Sequence, residues 1–435
     1  MKRAGPILLI ALAALSVGTW TTGAERPPPR HDHGEIVRVD GIEVLRLWGT
    51  PRERGRAHGF LMGPRIIDLL DDYLAEMIGD EERVAEFEYR ARLMTRLIIV
   101  RPQFEEELRG MLEGIGQREE GRRNIAMLKR PIQYSDLLAI NCIPELARIG
   151  CSSFVIWGAQ TGGPTICARN LDWHSLDALR GRQIVIANIP DPDSKQKPWA
   201  SVGWPGFLGC LTGMNADGLT VALHDVFAKS NGPPFAFTPR GLALREIIET
   251  VDTADAISDA ARLLRRRFAR VGNNVVISCP SKAAPIPAGI LEYDGELLKE
   301  AGVTIRRIEA LTGGVGGASP GTHLTCTNHY VRRATPRDCE RYDKIEGALC
   351  DAARIGKKLT VADAWQLLED VAMSADDGND GRRIETYHSV VFEPDARQFH
   401  VAFSESHRPA PFCRRVAMNL KELLSAPETV VAAPP

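Results

Sequence analysis

Two kinds of hydrophobic patterning run along the chain, and they change over near residue 150. Before it, residues 37–48 alternate apolar and polar side chains like an edge strand, and residues 49–59 turn into a helix that runs to about residue 78. Apolar residues then recur at helical spacing between Arg and Glu over residues 81–121, which predicts two or three amphipathic helices, and Ser135 is positioned to cap another. After residue 150 the runs shorten. Residues 183–187, 199–202, 209–214 and 219–223 are apolar segments bounded by turn residues, as strands are. Helical spacing returns over 240–269, broken near Thr253, and over 337–354 and 361–373; strands are predicted at 275–279, 289–293 and 324–327, with a terminal hairpin of 386–392 and 398–403. The pattern predicts an α+β fold with a mostly helical segment, residues 25–150, ahead of a strand-rich one, residues 151–435.

The junction carries the candidate chemistry. Gly150-Cys151-Ser152-Ser153-Phe154 opens an apolar strand, Thr161-Gly162-Gly163-Pro164 turns it, and a second strand over 165–168 leads into Arg169 and Asp172. A small residue directly before a cysteine suits self-cleavage, because a glycine carbonyl can adopt a strained conformation within reach of the sulfur. Scission between Gly150 and Cys151 would free an α-amine with a pKa near 7.7–8.0, able to act as base for the thiol of the same residue. An antiparallel hairpin would return Arg169 and Asp172 beside Cys151, where their charges would orient the amine and favour the thiolate. The plain alternative is a chance Gly-Cys dipeptide and a surface ion pair.

Asn215, in a turn between two predicted strands, and Asn328, after a third, are neutral amides suited to an oxyanion. A turn residue with positive φ and a cap are their structural alternatives. His58 reads as packing at a helix start.

Composition narrows the function classes. A 435-residue chain with 44% hydrophobic residues can bury a large core, and a net charge of -2 gives no basic field for nucleic acid. Met1-Lys2-Arg3, an apolar stretch over 7–17 and small or polar residues to Ala24 form the three parts of a signal peptide over 1–24, so a secreted or periplasmic protein with no stable membrane span after its removal is expected. Nine scattered cysteines without a CxxC give no zinc framework, and neither a metal nor a cofactor is expected. Gly313 to Gly317 lacks the ending of a phosphate loop.

Taken together, Gly150-Cys151-Ser152-Ser153-Phe154, Ala168-Arg169-Asn170-Leu171-Asp172-Trp173, Leu211 to Leu219 and Thr325-Cys326-Thr327-Asn328-His329 resemble one family. It is the acyl-coenzyme A:6-aminopenicillanic acid acyltransferase family, peptidase family C45, related to penicillin V acylases, bile salt hydrolases and acid ceramidases among the N-terminal nucleophile (Ntn) hydrolases. The resemblance implies an αββα sandwich of two antiparallel sheets between helical layers. It implies Cys151 as the nucleophile released by autocleavage, Arg169 and Asp172 as its supports, Asn215 and Asn328 as ligands of the amine or oxyanion, and a late arginine, for which Arg383 is the candidate. The expected function is hydrolysis of a linear N-acyl amide through an acyl-enzyme, with the two fragments remaining associated. Acyl transfer to an amine, or a non-catalytic binding protein on the same fold, is the alternative.

Overall fold

The computed structural model describes residues 30–79, 81–117, 123–146, 150–226, 236–267, 269–295, 302–308, 322–333, 338–374 and 383–425. The signal-peptide stretch and the glycine-rich run near residue 315 lie outside them.

The long first helix, Pro51–Met77, begins where local chemistry dictates. Thr50 accepts a hydrogen bond from the Glu53 N–H, and the Glu53 carboxylate accepts from the Thr50 N–H at 2.8 Å, a reciprocal cap with proline in the first turn. Against it lies Pro102–Gly116, and the backbones of the two helices touch through glycines. A Cβ on Gly55 or Gly59 would sit 1.9 Å from the carbonyl oxygen of Glu107 or Met111, and one on Gly110 or Gly114 within 2.2 Å of that of Arg52 or Arg56. Only hydrogen side chains allow this crossing. The short helix expected to be capped at Ser135 is Tyr134–Ile140, and its cap is Gln133, which exchanges hydrogen bonds with Asp136.

A ten-stranded sheet runs in the order Arg30–His31, Gly34–Val39, Ile42–Gly49, Ile184–Pro190, Trp199–Gly203, Thr212–Asn215, Thr220–Val226, Gly272–Ser278, Ala288–Tyr293, Val303–Arg306. Residues 37–48, expected as one edge strand, are two strands folded at Asp40–Gly41, both with positive φ. The second of them is internal, because Ile42–Gly49 also pairs in parallel with Ile184–Pro190. Among the described residues, pairing begins at Arg30, opposite Glu35.

A six-stranded antiparallel sheet runs His323–Cys326, Gly150–Gly158, Gly163–His174, Ile384–Glu393, Gln398–Phe403, Val416–Asn419. The expected hairpin is present, with a second strand longer than the sequence suggested: Arg169 and Asp172 lie inside it. Val155 and Trp157 from this sheet share a buried cluster with Val44, Val185 and Val202 from the other, so the two sheets face each other there. On the far face of the six-stranded sheet, Phe154 and Ile156 pack against Ile345, Leu349 and Trp365 of the helices Glu340–Arg354 and Val361–Asp370. The ten-stranded sheet is covered in turn by the first two glycine-paired helices and by Arg240–Thr250 and Ala256–Leu264.

Candidate active site

Register assembles the site. Alternation turns Cys151, Ser153 and Val155 towards the space between the sheets, and Gly150 and Phe154 towards the outer helices. On one flank, Cys326 pairs with Ser153, and continuing that register two residues brings Asn328 opposite Cys151. Its side-chain oxygen accepts the Cys151 backbone N–H at 2.9 Å. On the other flank Gly150 pairs with Asp172 and Asp172 with Thr386, a row across three strands on the outer face.

The sulfur and the nitrogen of Cys151 therefore meet different partners. The thiol donates to the Leu223 carbonyl at 3.3 Å, and the buried Arg169 donates to the sulfur at 3.2 Å while also bonding the carbonyls of Leu223 and Leu211. Arg169 and Asp172 do not pair with each other, since residues three apart on a strand point to opposite faces. Asp172 instead receives Arg341 Nη1 at 2.8 Å and the Thr386 hydroxyl at 2.6 Å. Arg341 Nη2 also reaches Asn328 Oδ1 at 2.9 Å, and the Asn328 amide nitrogen donates to the Asp225 carbonyl at 2.8 Å. One guanidinium thus ties Asp172 to Asn328 next to the Gly150–Cys151 peptide bond.

Arg341 escapes sequence reading because it lies in the first turn of a helix with no motif around it, and Thr386 because threonine is ordinary in a strand. Arg383, the expected late arginine, is exposed, and its carbonyl accepts the Ser175 N–H. The arginine that reaches the site is Arg341. Asn215 also falls elsewhere: it ends its strand four residues beyond Leu211, about 13 Å along at about 3.3 Å per residue. Its amide is spent on the Ile248 carbonyl and on the N–H groups of Asp217 and Leu219, so it braces the turn. Gly150 has no left-handed φ and continues the strand. The reason for glycine is space, since a Cβ there would lie 3.1 Å from that of Asp172. His58 is structural: buried, it accepts the Gly206 N–H at 3.0 Å, and burial lowers its pKa to about 4.

Electrostatics set the resting state. Burial lifts the Cys151 thiol to about 11; Arg169 opposes the rise, and the carboxylates of Asp172 and Asp225 add to it. Near neutral pH the sulfur is therefore a thiol. Asp172 is also raised by burial, against the pull of Arg341 and the Thr386 hydroxyl. His224, whose Nε2 lies 2.8 Å from Ser153 Oγ, is held neutral by burial and by Arg169.

An apolar slot adjoins the residues that hold Arg169. Tyr73, Ile140 and Ile143 line it from the segment before Cys151, and Trp173, Trp204 and Phe207 from the segment after it. It encloses about 50 Å³. Leu211, whose carbonyl holds Arg169, forms part of its wall, and Cys151 belongs to the same buried cluster.

No family model matches the chain. Among curated proteins it is similar to Protein dcd1A of Dictyostelium discoideum, 24% identical over 250 residues that cover 49% of this chain and 51% of that one. It is similar also to an uncharacterized protein of Archaeoglobus fulgidus, 22% identical over 295 residues that cover 60% and 45%. The chain spans about half the length of the curated relatives it matches. Among solved structures it is similar to the Caenorhabditis elegans ortholog of N-acylethanolamine-hydrolyzing acid amidase, with 14% identity, 56% of this chain and 93% of that one covered, and a TM-score of 0.40. A mutant of conjugated bile acid hydrolase from Clostridium perfringens gives 10%, 63%, 94% and 0.43, and penicillin V acylase from Agrobacterium tumefaciens gives 13%, 58%, 83% and 0.38.

Proposed function

We propose that this chain is an exported cysteine amidohydrolase of the Ntn type, with the αββα layering of that class, activated by scission of the Gly150–Cys151 bond. The observation that carries the reading is the division of labour at Cys151: its nitrogen rests on Asn328 beside Arg341 and Asp172, while its sulfur rests on Arg169. A residue that must serve as both base and nucleophile needs its two ends held separately.

In processing, the sulfur attacks the Gly150 carbonyl carbon, the peptide C–N bond breaks, and the nitrogen takes a proton to become the amine of Cys151. Water then hydrolyses the resulting thioester, leaving a carboxylate on Gly150. In turnover, the free amine takes the thiol proton as sulfur attacks the substrate amide. The resulting ammonium protonates the leaving amine, and the acyl group stays on sulfur until water, deprotonated by the same amine, removes it as a carboxylic acid. An ammonium next to the sulfur lowers the thiol pKa from its resting value. The Asn328 side-chain oxygen, braced by Arg341, accepts from the Cys151 nitrogen and so orients the amine. The slot, lined by Trp173, Trp204 and Phe207, supports an apolar acyl group.

Intact-mass measurement with N-terminal sequencing tests the proposal. Active protein should consist of two fragments, the second beginning at Cys151, and Cys151→Ala should remain one chain without turnover. Hydrolysis by protein still joined at 150–151, or by Cys151→Ala, would overturn it.

A further inference from the structure

We propose that His323, Glu346 and Cys350 form a binding site for a divalent metal ion of the zinc class, separate from the candidate active site. His323 opens the edge strand His323–Cys326, and Glu346 and Cys350 lie one turn apart on the helix Glu340–Arg354 that covers it. His323 Nε2 is 3.4 Å from Glu346 Oε1, and Cys350 Sγ is 3.9 Å from each of them. The point equidistant from three atoms so spaced lies about 2.2 Å from each, within the roughly 2.0–2.3 Å of zinc bonds to nitrogen, oxygen and sulfur.

The surroundings fix the histidine for this task. Gln160 Nε2 donates to the Leu349 carbonyl at 2.9 Å, which assigns the amide orientation and leaves Gln160 Oε1 facing His323 Nδ1 at 2.9 Å. An oxygen there can only accept, so Nδ1 carries a proton and Nε2 is the nitrogen turned to Glu346 and Cys350. Nitrogen, carboxylate and thiol from two elements, with the helical pair only partly buried, leave a fourth position for water. Sequence spacing hid the site, because two of its three donors are not cysteines and His323 lies on a different element from the other two.

The ion would staple the strand that ends two residues before Asn328 to the helix whose first turn carries Arg341. It would thereby hold in register the pair that meets at the Cys151 nitrogen, without touching the reacting atoms.

Cobalt titration of full-length Cys151→Ala, which removes the candidate active-site thiol, tests the site. One equivalent should produce a thiolate-to-cobalt charge-transfer band that zinc abolishes. Adding Cys350→Ser should remove the band, and Glu346→Gln or His323→Ala should weaken cobalt binding by at least about ten-fold. Zinc should raise the melting temperature of Cys151→Ala but not that of the same protein with Cys350→Ser. Absence of the band, or a band unchanged by Cys350→Ser, would show that the trio is an ordinary His–Glu ion pair with a bystander thiol and overturn the proposal. Because these readouts use inactive protein, they are independent of whether the chain cleaves itself.

Discussion

At Cys151, burial and neighbouring charge act in opposite directions, and burial prevails, lifting the thiol to about 11 although Arg169 touches the sulfur. Asp172 shows the same contest with Arg341 as the opposing charge. Arg341 is therefore the residue whose loss should spread furthest. Arg341→Ala leaves the buried carboxylate without its cation and Asn328 without its brace, so turnover should fall about 100-fold, the scale of losing one oriented donor. With the cation gone, Asp172 takes up its proton at a higher pH than in the parent. The acid limb of the pH–rate profile should move upward, which steady-state kinetics across pH would show. Arg341→Lys should recover only part of the loss, since an ammonium cannot bridge two oxygens as a guanidinium does. An unchanged profile in Arg341→Ala would remove this residue from the site.

Among the elements, the crossing of Pro51–Met77 with Pro102–Gly116 leaves no room between backbones. Gly59→Ala would drive a methyl into the Met111 carbonyl, and Gly114→Ala one into that of Arg56, so each should destabilise the chain by about 1–3 kcal/mol in urea unfolding, the usual scale of overpacking. Gly347 is the contrasting case, exposed on Glu340–Arg354 with nothing within 4 Å of its missing Cβ. Gly347→Ala should stabilise by about 0.4–1 kcal/mol, because the unfolded chain loses freedom and the folded one meets no clash. Equal effects at the two kinds of position would mean that the helices are not in backbone contact.

For the molecule as a whole, the segments on either side of residue 150 are built into one another. Ile42–Gly49 is an internal strand that pairs with Ile184–Pro190, and the Glu107 carboxylate is buried against both Arg54 and Arg245. Glu145, five residues before Gly150, accepts the Arg240 N–H at 2.6 Å. Scission at 150–151 would break none of these. The fragments should elute as one species in size-exclusion chromatography under native conditions and separate only in denaturant. Native separation would contradict a shared sheet.

Local signals were enough to predict most helices and the hairpin that carries Cys151, Arg169 and Asp172, because caps, periodicity and turn residues act over a few positions, whereas Asn328 was expected at the site only through the family resemblance. What lay beyond reach was decided by pairing between distant strands. Register brought Asn328 across to Cys151 and left Asn215 in its turn; a helix more than 150 residues from Asp172 delivered Arg341, while Arg383 stayed at the surface. Side-chain alternation separated Arg169 from Asp172, although sequence proximity suggested a pair. The chain by itself fixes which groups are available, and only tertiary contact determines which of them share a low-dielectric space, because charge and hydrogen bonding act across distances that sequence separation does not measure.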